Sequence, residues 1–177
     1  MDIHEYQAKQ ILSNFGVRIP RGGIAYSPEN AEYKARDIGG SKWVVKAQVH
    51  SGGRGKAGGI IFCNDSLEVA QATDKMLGKK LVTTQTGPSG KIINRVYIEE
   101  ATDIEQELYL GLVFDRGSEC IMVVASTAGG MSVEEISNEK PETIIRSKIE
   151  ASVGIQEFQA REIAFDLGIE SELISRT

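Results

Sequence analysis

The stretch that decides the fold is KAQVHSGGRGKAGG, which runs from Lys46 to Gly59. It contains five glycines within residues 52–59 and separates the run WVVKAQV from a second run, IIFCN. Both runs are short and β-branched, which predicts a strand-loop-strand unit. Glycine has no Cβ, so its backbone N–H can approach phosphate oxygens, and Lys46, Arg54 and Lys56 add positive charge. The stretch therefore favours a phosphate-binding loop in a mixed α and β domain.

This loop differs from the two common glycine motifs that bind nucleotides. No Gly-Lys-Ser/Thr opens a helix, as in a Walker A loop, and a strand follows where a Rossmann fingerprint has a helix. A flexible surface loop or a nonspecific nucleic-acid contact is the plain alternative. Lys46 lies in an otherwise apolar strand and needs an anionic partner if it is buried. A nucleotide phosphate would provide one, and snorkelling at the strand end is the alternative.

The segments on either side of the loop have clear periodicities. A helix is predicted over 2–15, capped by Asp2, and we expect its apolar face, formed by Ala8, Ile11, Leu12 and Phe15, to point inward. Period-two patterning after Asn94 predicts antiparallel strands, and the turn DRGS predicts a β-hairpin over 106–126. The inward stripe of that hairpin is expected to be Leu108, Leu110, Leu112 and Phe114, with Glu107 pointing outward.

The segment EEATDIEQE, residues 99–107, is acidic and lies between two apolar strands. It is either a solvated connection or a hinge whose backbone contacts a purine edge while a carboxylate accepts from ribose hydroxyls. Composition alone does not choose between these interpretations.

Bulk composition narrows the class of protein. The chain has 177 residues, a net charge of -5 and a pI near 5.2, which argues against a protein that coats nucleic acid or anionic membrane. No window approaches the roughly 20 apolar residues of a membrane span. Cys63 and Cys120 lie in apolar runs and are predicted to be core residues rather than nucleophiles or metal ligands. His4 and His50 have no Ser, Cys or Asp partner at a recognisable spacing.

Four stretches in this order, HEYQAKQIL, WVVKAQVHSGGRGKAGG, LGKKLVTTQT and EEATDIEQELYLGLVFDR, resemble the β subunit of the ADP-forming succinyl-CoA synthetase family. The resemblance runs from Met1 to about Leu167. It implies an α+β, ATP-grasp fold in which a nucleotide lies between two lobes. It also implies a reversible acid-thiol ligase of the citric acid cycle, with the reaction ATP + succinate + CoA = ADP + phosphate + succinyl-CoA.

Carried over position by position, the resemblance implies a set of nucleotide-binding residues: Lys46, Gly53, Arg54, Gly55, Glu99, Thr102 and Glu107. In this set Lys46 and the glycine loop contact phosphates of ATP or ADP. Glu99 and Thr102 belong to the hinge beside the base, and Glu107 holds the ribose hydroxyls. Pro20, which has no side-chain donor or acceptor, favours ATP over GTP.

The resemblance also places several functional parts outside this chain. No catalytic residue is implied here, because the family's phosphohistidine belongs to the α subunit. The Mg²⁺ ligands, an Asn and an Asp, are expected beyond Thr177, as is a flavodoxin-like CoA-ligase domain. Within the chain, residues 20–103 are expected to form the smaller nucleotide-binding lobe and residues 1–19 with 104–177 part of the second lobe.

These expectations describe a chain whose tail, ESELISRT, predicts an unfinished helix. We expect it to be inactive alone and to work with an α subunit, as αβ or α2β2, in the bacterial cytoplasm or mitochondrial matrix. CoA and succinate would be bound mainly by that complex. The alternatives are a malate-CoA ligase β subunit and a non-catalytic nucleotide-binding module.

Overall fold

The computed structural model describes residues 2–131 and 133–174. The chain forms two compact units, Met1–Asp103 and Ile104–Thr177. Residues 2–19 fall within the first of these units. Their predicted membership of a second lobe together with residues 104–177 stays a prediction.

The first unit is a mixed α and β structure built on an antiparallel sheet. Its elements are α1 (Glu5–Asn14), β1 (Gly22–Ala25), α2 (Pro28–Ile38), β2 (Trp43–Ala47), β3 (Ile60–Cys63), α3 (Ser66–Met76), β4 (Lys80–Leu81), β5 (Lys91–Ile92) and β6 (Val96–Glu100). The main sheet has the strand order β1-β6-β2-β3, and β4 pairs with β5 separately. Strands β2 and β3 are antiparallel neighbours with Lys46 opposite Ile60, so the predicted strand-loop-strand unit is confirmed.

Helices α2 and α3 are capped by the side chains that their sequences provide. The Ser27 hydroxyl accepts from the Asn30 N–H at 3.2 Å, and the Asp65 carboxylate accepts from the Glu68 N–H at 2.7 Å. Both helices pack on one face of the sheet and form an apolar core. Its fully buried members include Ala31, Ala35, Val45, Val69, Val96 and Ile98.

Helix α1 departs from its prediction in two ways. It begins at Glu5 with His4 as N-cap, so the expected cap at Asp2 is wrong. The apolar positions are not buried either, because Ile11, Leu12 and Phe15 are 48%, 46% and 83% exposed. The charged side of the helix makes the contacts with the sheet instead, through ion pairs of Glu5 and Lys9. The hydrophobic pattern predicted the position of the helix correctly, but it did not predict which side of the helix contacts the sheet.

The second unit contains an antiparallel sheet in the order β7-β8-β9. Its elements are β7 (Tyr109–Asp115), β8 (Cys120–Ser126), α4 (Val133–Glu139), a 3-10 turn (Pro141–Thr143), β9 (Ile144–Ile149), α5 (Glu157–Asp166) and α6 (Ser171–Ile174). Strands β7 and β8 form the predicted hairpin, and Asp115 accepts from the Gly117 N–H at 3.0 Å in its turn. The predicted continuation of the last helix through 175–177 lies outside the described residues.

The leucine stripe of the hairpin is the second correction. Leu112 lies directly opposite Val123, so both side chains point to the same face, as the alternation predicted. Val123 is 3% exposed within the core that includes Ile163 and Leu167, whereas Leu112 is 71% exposed. Helix α5 contributes to this core over β8 and β9, and Leu110 and Phe114 on the edge strand β7 remain exposed as well.

No helix within 2–131 and 133–174 is long and apolar enough to cross a membrane.

Candidate functional site

A cluster of charged side chains lies on the sheet face opposite α2 and α3. Lys46 on β2 and Glu99 on the neighbouring strand β6 form an ion pair in which the side chains are only 17% and 7% exposed. The Lys46 ammonium also lies 3.2 Å from the Glu5 carboxylate of α1. Lys46 is therefore a largely buried cation, and its partners within the chain are carboxylates.

The glycine loop joins this cluster through Arg54. Its Nη2 lies 2.8 Å from Oε2 of Glu5, and its Nη1 donates to the carbonyl of Ala47 at 2.8 Å. Gln48, which is 2% exposed, donates from Nε2 to the same Glu5 oxygen at 3.3 Å. The base of the loop is thus fixed to α1 and to the end of β2.

Lys9 supplies the third cation. It pairs with Glu99 and lies 3.6 Å from Glu5, four residues earlier on the same helix. Its ammonium is 5.7 Å from the centroid of the Tyr97 ring, within cation–π range. Three cations and two carboxylates leave the cluster formally positive, which suits an anion.

The protonation states follow from this arrangement. Burial by itself would raise the pKa of Glu5, but the charges of Lys46, Arg54 and Lys9 outweigh burial and lower it to about 2. Burial would likewise lower the pKa of Lys46, but Glu5 and Glu99 raise it. Burial, with a smaller contribution from Glu99 and Glu5, raises the pKa of Tyr97 to about 12. At neutral pH Glu5 and Lys46 are therefore ionised and Tyr97 is a neutral phenol.

The glycine loop is a folded turn. The N–H of Gly59 donates to the Arg54 carbonyl at 2.7 Å, and the N–H of Ala57 donates to the Gly53 carbonyl at 3.2 Å. Gly53 has φ +70°, a conformation that other residues rarely adopt. The loop is also tied to the TTQT segment, because the Gly52 N–H donates to Gln85 Oε1 at 2.6 Å. Such a turn presents its backbone in a fixed orientation.

An open cavity of about 480 Å³ lies beside the cluster, between α1, the segment before β1 and strand β6. Pro20, Tyr6 and Tyr97 line it, together with Gln10 of α1. Tyr97 connects the two features, since its ring lines the cavity and also lies near Lys9. The lining therefore combines aromatic and apolar side chains with the polar amide of Gln10.

Of the remaining predicted residues, three belong to the first unit and one to the second. Gly53 and Gly55 are exposed in the loop, and Thr102 is exposed just after β6. Glu107 belongs to the second unit, where it is exposed and lies against Gly129 and Gly130. A Cβ atom added to Gly130 would lie 2.9 Å from Oε2 of Glu107. The structure thus brings together Lys46, Arg54 and Glu99 of the predicted set.

The two cysteines are buried, and the two histidines lie next to each other. Cys63 and Cys120 are both buried, and burial, followed by Glu68 and Asp65, raises the pKa of the Cys63 thiol to about 11, so the predicted core role is confirmed. The rings of His4 and His50 lie 4.0 Å apart between centroids. Burial, His50, Arg95 and Arg54 lower the pKa of His4. Within the described residues no group of three His, Cys, Asp or Glu side chains could hold a metal ion.

Sequence reasoning missed Glu5 and Lys9. The sequence pattern assigns no site role to Glu5, although in the structure it contacts Lys46 and Arg54. The available indication was a Glu-Lys pair at i and i+4, which normally indicates a solvated helix face. Only the tertiary structure shows that this face contacts the sheet.

A family model and curated relatives both match this chain over nearly its whole length. The family model described as ATP-grasp domain matches residues 2–177. A probable malate–CoA ligase subunit beta of Mesorhizobium japonicum is 60% identical over 99% of this chain and 45% of its own length. Succinate–CoA ligase [ADP-forming] subunits beta of Nautilia profundicola and Bacillus subtilis are 52% and 47% identical, over 96% and 99% of this chain and 43% and 46% of theirs. The chain spans a little under half the length of these relatives.

Solved structures show the same fold at lower identity. A dinucleotide-forming acetyl-coenzyme A synthetase 1 of Ca. Korarchaeum cryptofilum, in complex with coenzyme A, Ca-AMPCP and HgCl+, superposes with a TM-score of 0.67. It is 19% identical, and the match covers 96% of this chain and 70% of that one. An ATP citrate lyase of Methanosaeta concilii has a TM-score of 0.60 at 17% identity, over 87% and 35% of the two chains.

Proposed function

This chain belongs to the ATP-grasp family, and we propose that it is the nucleotide-binding part of the β subunit of an ADP-forming succinate–CoA ligase. The reaction of the complete enzyme would be ATP + succinate + CoA = ADP + phosphate + succinyl-CoA. The observation that carries the proposal is the buried cluster in which Lys46 and Arg54 lie together beside a folded glycine loop. Relatives named for this activity, which are 52% and 47% identical to this chain, support the proposal.

Within this proposal, the cluster receives the phosphates of ATP. Phosphoryl transfer needs positioning and charge neutralisation from the protein. Lys46 and Arg54 supply two positive charges, held in place by carboxylates before ligand arrives. We propose that the backbone N–H groups of Gly53 and Gly55 donate to phosphate oxygens, as in other glycine-rich anion sites.

Magnesium would neutralise further charge when bound with the nucleotide. The described residues offer it no group of three His, Cys, Asp or Glu side chains. In this proposal the residues described here act on the phosphates through their own charges.

The cavity bounded by Pro20 and Tyr97 is the proposed place of the purine. The Tyr97 ring supplies an aromatic surface, and Pro20 offers no side-chain donor or acceptor to a guanine edge. Glu99 and Thr102 stay proposed contacts near the base, and Glu107 a proposed contact of the ribose hydroxyls. We therefore expect this site to bind adenine nucleotides more tightly than guanine nucleotides.

A calorimetric titration tests the proposal directly. The chain should bind Mg-ATP saturably and Mg-GTP more weakly, and Lys46→Ala should weaken ATP binding by about 100-fold, the loss of a charged contact to phosphate. Lys79→Ala removes an exposed lysine outside the cluster and should change nothing. Equal ATP affinity in wild type and Lys46→Ala would contradict the proposal and favour a module that kept the fold without the site.

Malate–CoA ligase is a second candidate, because the relative named for that activity is 60% identical while those named for succinate are near 50%. The acid substrate is distinguished by an assay of the complete β subunit with its α subunit. Faster CoA-ester formation with malate than with succinate would select it. The 177 residues alone, which span a little under half the length of these relatives, should form neither ester.

A further inference from the structure

Glu5 occupies the centre of the charged cluster, although nothing in the proposed nucleotide chemistry requires it. Its two carboxylate oxygens lie 3.2 Å from Lys46, 2.8 Å from Arg54 and 3.6 Å from Lys9. The side chain is 17% exposed, and Gln48 donates to it as well. One carboxylate thus connects helix α1, strand β2 and the glycine loop.

A carboxylate beside a phosphate site has two opposite effects. Its negative charge repels an incoming phosphate, and its contacts fix the cations that receive that phosphate. Three cations within 3.6 Å already surround the Glu5 charge, so they cancel much of its field at the distance of a bound phosphate. The neighbouring cations do not cancel the second effect, in which the contacts of Glu5 hold those cations in place.

Removing Glu5 would leave Glu99 as the only carboxylate of the described cluster for Lys9, Lys46 and Arg54. Lys9 and Lys46 would then share the Glu99 carboxylate, and Arg54 would lose its carboxylate partner. Buried cations tolerate a missing partner poorly. Among the described residues, the Arg54 side chain would keep its hydrogen bond to the Ala47 carbonyl and lose its ion pair. Since Arg54 belongs to a glycine-rich loop, its guanidinium would gain freedom that nucleotide binding must remove again.

We propose that Glu5 is a positioning residue of the nucleotide site, which holds Arg54 of the glycine loop and Lys46 of β2 in place to receive phosphates. This inference rests on the proposed function and adds to it a residue on α1. Glu5 acts through the two cations and does not itself touch the nucleotide.

The test compares Mg-ATP with adenosine, because only ATP uses the phosphate contacts. Calorimetric titrations of Glu5→Gln should show ATP binding weakened by about tenfold and adenosine binding unchanged. Glu5→Asp keeps the charge on a shorter stem and should recover part of the loss. The matched control is Glu32→Gln, which removes a Glu–Arg pair on α2 and should leave both ligands unaffected.

The alternatives give distinct results. Tighter or unchanged ATP binding in Glu5→Gln would overturn the inference, and tighter binding would show that charge repulsion dominates. If Lys46→Ala still weakened ATP binding, the proposed function would stand without the inference. Equal weakening of ATP and adenosine would also overturn it, since Glu5 would then act only on the fold. If wild type binds no ATP, the proposed function fails and the inference with it.

Circular dichroism and thermal unfolding of each variant show whether it is folded. Should Glu5→Gln not fold, the ATP-to-adenosine ratio of Glu5→Asp decides. A selective loss for ATP supports positioning, and an unchanged ratio contradicts it.

Discussion

The sheets of the two units differ in what covers them. In the first unit, α2 and α3 cover one face with an apolar core, and α1 brings charged side chains to the other face. In the second unit, buried side chains from α5 meet β8 and β9, and the edge strand β7 keeps Leu110 and Leu112 exposed. The first sheet thus separates a stabilising face from a chemical face, whereas the apolar face of the second is only partly covered among the described residues.

The largest effect should come from the apolar face of the first unit. Ile98 is fully buried on β6, one residue before Glu99, so Ile98→Ala should lower the free energy of unfolding by about 3 to 4 kcal/mol. Fluorescence of Trp43, the single tryptophan, reports this unit during urea titration. Ile92→Ala, at an exposed position, is the control and should cost under about 1 kcal/mol. Equal losses of unfolding free energy in Ile98→Ala and Ile92→Ala would mean that Ile98 does not belong to the core.

The charged face should contribute a pH dependence. The pKa of Glu5 is about 2 in the folded chain and 4.5 ordinarily, so its contribution is fully present above pH 4.5 and is lost as pH falls toward 2. The expected loss is on the order of 3 kcal/mol. Urea titrations followed by Trp43 between pH 5 and 2 should show a shallower decline for Glu5→Gln than for wild type. Parallel curves would place the acid sensitivity in other groups.

The smallest effect should come from the exposed stripe of the second unit. Leu112 and Val123 are direct partners across β7 and β8, yet only Val123 is buried. Val123→Ala should destabilise the unit by about 2 kcal/mol, and Leu112→Ser by no more than about 0.5 kcal/mol. Hydrogen exchange of the β8 amides measures both. A large cost for Leu112→Ser would show that the stripe is covered in solution.

Part of the candidate site could be predicted from the sequence. The sequence pattern singles out Lys46 as a cation in an apolar strand, and the structure gives it the anionic partner that burial requires. That partner is Glu99, which the family resemblance places beside the base rather than next to a lysine. Pairing of β2 with β6 places the two side chains together, and no local pattern contains that information.

The sequence by itself determined the local elements: the caps at Ser27 and Asp65, the strand-loop-strand unit and the hairpin. These depend on turn chemistry and periodicity, which act over a few residues. Only the tertiary structure decided that α1 turns Glu5 and Lys9 to the sheet and that the leucine stripe stays exposed. Periodicity tells which side of an element is apolar, but burial depends on partners that come from distant parts of the chain.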